Sequence, residues 1–576
     1  ILNERYPFYH ALVAAFLRSD PLHDLRNNVQ KAVWRQHDRI AVFVTLALDG
    51  GAARHASDLM ARLTREGWLV LALTAGHDAD GTQRLALTRA GSDEALRYPI
   101  AAPQEEALGD ILDLAPRFIH VQHLIDLPDG IAAFVRSCGI PYAVTLHDFF
   151  YACPKVTLLD AGARYCGMPP AAKCTRCVRQ GPVHPHLHPT LRPHAEAGER
   201  WRGLWEGFLR DATQVIAPSQ DTANRYAQLF PGLAVSVRPH FAPADLAAAP
   251  PRPARRSAGP RLRVALPGAI GPQKGSHELV ELARHCSRWH DDIDFVVVGY
   301  TDREEEFRRY DNVTVLGGYR PAEALTALAA AGCDVALLLN VFPETFSYTL
   351  SECLQVGLPP VAYDFGAVGE RMRALGVGVA LPPGAPPEQI VSALRMAAQH
   401  PALVPAASLY GQYGKLMADY YAPALADLAE VAPAPDAPRL LGPVAGLDED
   451  NWCDGTLRVR LWSARKLQRL ALTFWVPEEG RFQAVTIACN GVPLGRHVLE
   501  EGTSRRFVVP LPADEQGRRA EITCRFDFVF RLQPPDIRSR AAMLASIQVS
   551  EGVGWHTLDL PDALSAAPAR PQVAAA

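Results

Sequence analysis

A chain of 576 residues is too long for one hydrophobic core, and its length sets an expectation of about three to four domains. An apolar fraction of 48% is that of a globular protein and excludes wholesale disorder, while a net charge of -4 gives no global attraction to nucleic acid. No apolar run approaches the roughly 20 residues that span a bilayer, and eleven scattered cysteines, an odd number, point to a reducing compartment over a disulfide framework.

Residues 1–38 read as a helical extension. The run from Arg39 to Leu46 predicts a buried strand, followed after the pair Gly50-Gly51 by a helix over Ala52 to Glu66. Buried runs at Leu69 to Thr74, Phe118 to Val121 and Tyr142 to Leu146 alternate with helical patterns, which implies a parallel sheet covered on both faces over 39–241. A Pro/Ala-rich linker occupies 242–260, and its Arg252, Arg255 and Arg256 read as solvated charges on a tether. The alternation restarts over 261–434, with strands at Arg263 to Leu266, Phe295 to Val298, Val313 to Leu316, Val335 to Leu339 and Pro360 to Tyr363. The fold class is therefore α/β, with two Rossmann-like doubly wound domains. Ligands of such sheets bind beyond the C-terminal ends of the strands, so the expected site is the cleft between the two. Over 435–563 strict alternation dominates, as in Val485 to Cys489 and Ile522 to Phe530, with Asn490-Gly491 as a turn. A C-terminal all-β sandwich domain is expected there, for acceptor binding, oligomerisation or docking. Its Trp452, Trp462 and Trp475 either stack on sugar rings or fill the interior, the interior being favoured. Residues 564–576 lack periodicity and read as a flexible tail.

The chemistry is concentrated in VFPETFSYTLSECLQVGLPPVAYDF. Glu344 falls in a strand-to-helix loop and Glu352 in the second turn of a helix expected over Tyr348 to Val356 and stopped by Gly357. The amides near Phe346, Ser347, Tyr348 and Thr349 would be unsatisfied at the helix start, where the dipole favours an anion such as a phosphate. Taken alone, two such glutamates are ordinary solvated charges. Upstream, Gly268 and Gly271 permit close backbone approach, and Lys274, ahead of a helix, can pair with a diphosphate. ThrLeuHisAspPhe at 145–149 ends a strand and puts His147 at the cleft, although with Asp148 it could equally cap the strand end. Cys153, Cys166, Cys174 and Cys177 follow in C-x12-C-x7-C-x2-C spacing. They read either as a tetrahedral structural zinc site or as free, partly buried thiols. His184, His186 and His188 extend that ligand set but read as exposed imidazoles in a Pro-rich loop. Asp78-Ala-Asp80 matches a metal-binding DxD and reads as a turn.

As an ordered set, Gly268 with Lys274-Gly275, ValValValGly at 296–299, ValLeuGlyGlyTyr at 315–319 and Glu344-x7-Glu352 with Gly357 resemble the donor-binding half of retaining GT-B glycosyltransferases of family four. The similarity covers about residues 39–430. It implies that Lys274 holds the donor diphosphate, that Glu344 contacts the transferred sugar, and that Glu352 binds the ribose hydroxyls. It also implies that Gly50 and Gly51 approach sugar and phosphate, that His147 contacts the donor sugar, and that base contacts lie around Tyr300 and Gly317 to Arg320, Tyr319 included. The implied catalytic residues are His147, Lys274 and Glu344; donor binding adds Gly50, Gly51, Gly268, Tyr319, Phe346, Ser347, Tyr348, Thr349 and Glu352. Where the family often has an arginine after the glycine matching Gly268 this chain has Ala269, so Arg371 is the candidate replacement cation. No catalytic metal is expected. The implied activity is retaining transfer of a sugar from a nucleotide-sugar donor to a growing surface polysaccharide, of lipopolysaccharide type, or a lipid-linked glycan. The expected location is cytoplasmic, with peripheral contact with the inner membrane or with other glycan-assembly enzymes. The alternatives are a GT-B sugar-nucleotide epimerase and a catalytically idle glycan-binding scaffold.

Overall fold

The computed structural model describes residues 5–6, 8–19, 22–47, 50–77, 83–99, 105–242, 261–400, 404–423, 425–427, 437–442, 444–448, 450–477, 483–511, 518–531, 539–552 and 554–560. Asp78 and Asp80, most of the 242–260 linker and the 564–576 tail lie outside them. The chain divides into two compact units, one of residues 1–43, 63–119 and 432–560, the other chiefly of residues 44–62 and 120–431.

In the first unit, β1 (Ile40–Val44), β2 (Leu69–His77), β3 (Gln83–Arg89) and β4 (Ala95–Pro99) lie in the order β4-β3-β2-β1. Sequence alternation implied a parallel sheet, yet β2, β3 and β4 pair antiparallel. The short 90–94 connection cannot make the crossover that parallel pairing needs. Cross-strand pairing aligns Leu73, Leu87 and Leu96, and all three are buried.

The C-terminal part of this unit is all-β, as its alternation implied. Its strands share one ten-stranded antiparallel sheet, nearly barrel-shaped, in which the end strands Val492–Leu499 and Ser504–Pro510 approach each other. Bulges at Thr473/Phe474 and Ile487/Ala488 supply bending that wraps the sheet round a core containing Leu457, Val459, Leu472, Phe474, Ile487 and Ile547. Asn490 and Gly491 both have positive φ, 48° and 78°, and form the tight turn their sequence announces. The β part attaches to helix Glu105–Leu114. Arg519 Nη2 pairs with Asp110 at 2.7 Å and also with Asp113, and Trp462 Nε1 donates to Asp113 at 3.0 Å. Trp462 is buried, and the Trp452 and Trp475 rings pack edge to face at 5.9 Å.

In the second unit, which β5 (Phe118–Val121) enters, β6 (Tyr142–Thr145), β7 (Gln214–Ala217) and β8 (Ser236–Val237) are parallel neighbours. Its other sheet has β9 (Leu262–Ile270), β10 (Ile293–Thr301), β11 (Val313–Val315), β12 (Val335–Leu338), β13 (Pro360–Tyr363) and β14 (Val379–Leu381), all parallel, in the order β11-β10-β9-β12-β13-β14. Successive residues of β10 enter different cores, Phe295 and Val297 on one face, Val296 and Val298 on the other. Both faces are thus covered, which is why the strands read as unbroken apolar runs. The chain leaves β9 in one direction for β10 and returns on its other side at β12, so the switch point lies between β9 and β12. Among the described residues no helix is long and apolar enough to cross a membrane.

Candidate active site

The loop from β12 leads into helix Tyr348–Gln355, which Gly357 terminates at φ +76°. Ser347 is the N-cap, and its hydroxyl accepts from the Leu350 amide at 3.3 Å. It does so with φ at +68°, a left-handed conformation uncommon outside glycine. The Tyr348 and Thr349 amides have no acceptor within the helix, by helix geometry alone. Phe346 is buried under Arg371, whose Cζ is 4.3 Å from the ring centroid, and serves as packing. Arg371 does not take the place of the absent arginine beside Lys274. It donates to the carbonyls of Phe346 (2.9 Å), Ser347 (2.8 Å) and Leu409 (2.8 Å) and to Ser351 Oγ (2.7 Å), so it fixes the loop from below.

Lys274 enters from the β9 side. Gly268 and Gly299 are paired neighbours on β9 and β10, and a Cβ at Gly299 would stand 2.1 Å from the Gly268 carbonyl. A Cβ on Gly268 would lie 3.3 Å from Lys274 Nζ, so the bare backbone there makes room for the ammonium. Gly275 starts helix Ser276–Trp289 at φ +74°, and a side chain there would strike the Leu339 carbonyl at 2.3 Å. Lys274 Nζ reaches Glu344 Oε1 at 3.7 Å. Glu344 is buried, and its Oε2 has no hydrogen-bond partner among the described residues.

Glu352 meets a residue that the sequence reading missed. Arg54, in the first turns of helix Gly51–Arg65, donates to Glu352 Oε1 at 2.8 Å and lies 4.7 Å from the Tyr348 ring centroid. Gly51 faces the same ring, where an added Cβ would be 3.5 Å from Tyr348 Cδ2; Gly50 precedes it with φ at +152°. Tyr319 is half-buried near this pair, and burial, then the Glu352 carboxylate, pushes its hydroxyl pKa up. Tyr300 stays exposed, and Gly318 lies against its ring.

His147 follows β6 and donates from Nε2 to Gln122 Oε1 at 2.7 Å, while its carbonyl accepts from Thr345 Oγ1 at 2.5 Å. Asp148 accepts from the Phe150 amide and pairs with His123 at 2.9 Å, so the capping task belongs to Asp148. Beside His147 stand His55 and His240, stacked at 3.9 Å, with His240 also 4.4 Å from the Phe346 ring. Burial drives the pKa of His147, and those of His55, His120 and His240, below the usual histidine value, that of His55 to about 3. A neutral His147 that donates through Nε2 offers Nδ1 as an acceptor. The site thus joins a cation, a half-free carboxylate, a helix start and neutral imidazoles in one unit.

The model of glycosyl transferases group 1 matches residues 252–415, and that of glycosyltransferase family 4 matches residues 49–241. Together they span more than half of the chain. This protein belongs to the group 1 glycosyltransferases. Among solved structures the transferase is similar to sucrose-phosphate synthase from Thermosynechococcus elongatus, at 15% identity and a TM-score of 0.41, over 68% of this chain and 94% of that one. It is similar to Anabaena HepE in complex with UDP-glucose, at 16% identity and 0.41, over 65% and 95%. A third is the catalytic domain of starch synthase IV from Arabidopsis thaliana bound to ADP and acarbose, at 13% and 0.41, over 69% and 96%. No curated protein sequence matches the chain.

The transferase carries its cysteine insertion directly after the His147 loop. Cys153, Cys166, Cys174 and Cys177 are all free and partly buried. They lie in one neighbourhood, because burial first, and then the other three thiols, push the Cys153 thiol up to about 12. Arg202 Nη2 lies 3.2 Å from Cys174 Sγ. The donor set suits zinc chemically, yet among the described residues no three His, Cys, Asp or Glu side chains stand where they could hold a metal ion. Of the nearby histidines, His186 is exposed, whereas His188 is buried, and its ring accepts from the Thr190 amide.

Proposed function

We propose that the protein is a retaining glycosyltransferase that moves a sugar from a nucleotide-sugar donor to a growing surface polysaccharide or a lipid-linked glycan. The observation that carries this reading is Lys274 set over Gly268 and beside Glu344, whose second oxygen is buried and open to a sugar hydroxyl. Lys274 and the Tyr348 and Thr349 amides would stabilise the charge that develops on the departing diphosphate. The acceptor oxygen attacks the anomeric carbon from the face the diphosphate leaves. The sugar–phosphate C–O bond breaks, the new C–O bond forms, and the acceptor proton passes to the leaving phosphate oxygen. Configuration is then retained with no covalent sugar on Glu344, and no metal enters these steps. Glu352 would hold the ribose hydroxyls, with Arg54 fixing its carboxylate. The four cysteines of the insertion are either ligands of a structural zinc or free, partly buried thiols, and metal analysis separates the two.

A thermal-shift panel of GDP-, UDP-, dTDP- and ADP-sugars tests the donor. A ligand at 100 times its Kd raises stability by about 2.7 kcal/mol, so one class should stand out and lose its effect in Lys274→Ala. No shift with any of the four would overturn the reading. Glu344→Gln should keep nucleotide binding and lose transfer by about 10²–10³-fold, the scale for one lost transition-state contact.

A further inference from the structure

Of the four imidazoles gathered at the site, three have hydrogen-bond partners. His120 bonds Tyr421 Oη through Nδ1 and Thr145 Oγ1 through Nε2, both at 2.8 Å, His55 Nε2 bonds Tyr420 Oη at 3.1 Å, and His147 bonds Gln122. His240 differs. It is 3% exposed, and neither of its ring nitrogens has a partner among the described residues. Burial, then His55 and His147, lowers its pKa, so one nitrogen carries a proton and the other a lone pair. The ring faces are already in use. His55 stacks on the ring at 3.9 Å and 12°, and the Phe346 ring lies 4.4 Å away at 35°, which leaves the nitrogen-bearing edge for polar contact. A buried donor and acceptor without partners are costly, and each calls for a group that the fold itself does not supply.

Two more unpartnered atoms lie close by. Gln122 is fully buried and fixed in place, its backbone amide donating to the Val44 carbonyl at 2.7 Å and its Oε1 taken by His147. Its Nε2 has no partner among the described residues, and neither has Glu344 Oε2. The three residues meet at His147: Gln122 bonds its ring, His240 lies 5.6 Å from that ring, and Thr345, adjacent to Glu344, donates to its carbonyl at 2.5 Å. The set therefore offers donors from Gln122 and His240 and acceptors from His240 and Glu344. A phosphate would be repelled by the carboxylate and would leave the His240 lone pair unused. Hydroxyl groups both donate and accept, so a polyhydroxy ring matches the whole set.

Given the nucleotide-sugar reading of this site, on which this step rests, we infer that Gln122 and His240 read the hydroxyls of the transferred sugar and so determine which sugar the enzyme takes. The Gln122 amide donates to one hydroxyl, and the His240 edge donates to one and accepts from another. A site built to hydrogen-bond a hydroxyl rejects a sugar that lacks it or points it elsewhere, because the buried groups are then left unpaired.

His240→Phe is the direct test, since it keeps an aromatic ring in the stack and removes both nitrogens. With the nucleotide that the thermal-shift panel selects, isothermal titration should show unchanged affinity for the nucleoside diphosphate and about tenfold or more weaker affinity for the nucleotide sugar, the scale of one lost hydrogen bond. Gln122→Glu keeps an oxygen for His147 Nε2 but removes the donor, and it should lose the same contribution from the sugar. In both variants the kcat/KM preference among the glucose, galactose and mannose esters of that nucleotide should narrow. The ligand-free thermal midpoint of His240→Phe should not fall, because two unsatisfied groups are removed. A fall of several degrees would make the imidazole part of the fold and overturn the assignment. Sugar affinity and preference retained in both variants would also overturn it, while leaving the nucleotide-sugar reading intact. Failure of every nucleotide sugar to bind the parent protein would remove both.

Discussion

Arg371 and Arg54 show how much of the site depends on residues that look ordinary in sequence. Burial lowers the Arg371 guanidinium to about 10, and its planar fork holds three carbonyls and a hydroxyl at once. Arg371→Lys cannot reproduce that fork. It should lower the thermal midpoint by several degrees, with Arg371→Met costing about 3 kcal/mol or more because buried acceptors are left unsatisfied. An unchanged midpoint in both variants would contradict this role. Arg54→Met leaves the buried Glu352 without its cation and should cost about 1–3 kcal/mol. Because Arg54 orients the carboxylate assigned to the ribose, the variant should also narrow the affinity difference between the cognate nucleotide and its 2′-deoxy form. Isothermal titration of both nucleotides measures it. Lys274, Glu344 and Glu352 were legible because their spacing from a strand end and a glycine stop is local. Arg54 was not, since its partner is 298 residues away and an arginine on a helix reads as a solvated charge.

At the scale of elements, the attachment of the β part to helix Glu105–Leu114 rests on a buried charge cluster. Burial pushes the Asp110 carboxyl up, but Arg519 and Lys31 outweigh it and hold the pKa below the ordinary carboxylate value. A depressed folded pKa contributes stability above the unfolded value of about 3.9 that is lost as pH falls through the folded one. Arg519→Ala should therefore destabilise the unit by about 3–5 kcal/mol at neutral pH, the scale for breaking a buried pair, and shift acid unfolding to higher pH. Calorimetry across pH would register both. The cysteine insertion is a separate element with its own test. Elemental analysis should find about one zinc per chain if all four thiols are ligands, and metal-free protein with four titratable thiols would remove that assignment. In sequence the cysteine spacing was visible, but spacing does not tell how far apart the folded chain holds the four sulfurs.

For the whole molecule, the buried imidazoles set a pH limit. His55, His120, His147 and His240 all have folded pKa values below the unfolded one of about 6.5. In that window the unfolded chain binds protons that the folded one does not, so stability is full above the unfolded value and falls as pH drops below it. For His55 the loss extends down to about 3. Each such histidine contributes a slope of about 1.4 kcal/mol per pH unit. The thermal midpoint should be flat above about pH 7 and fall steeply toward about pH 5; a flat profile across that range would refute the claim.

Local patterning was sufficient for the all-parallel β9–β14 sheet and the all-β region, because strand burial and alternation are written into neighbouring residues. It was sufficient for the Lys274–Glu344 half of the site for the same reason: a turn glycine and a helix start need only a few consecutive residues. Only the tertiary structure decided that β2, β3 and β4 turn antiparallel, that Arg371 supports the loop instead of facing a phosphate, and that Arg54, His55 and His240 join the site. These outcomes depend on partners tens to hundreds of residues distant, and a charge or an imidazole carries no local mark of which partner it will meet.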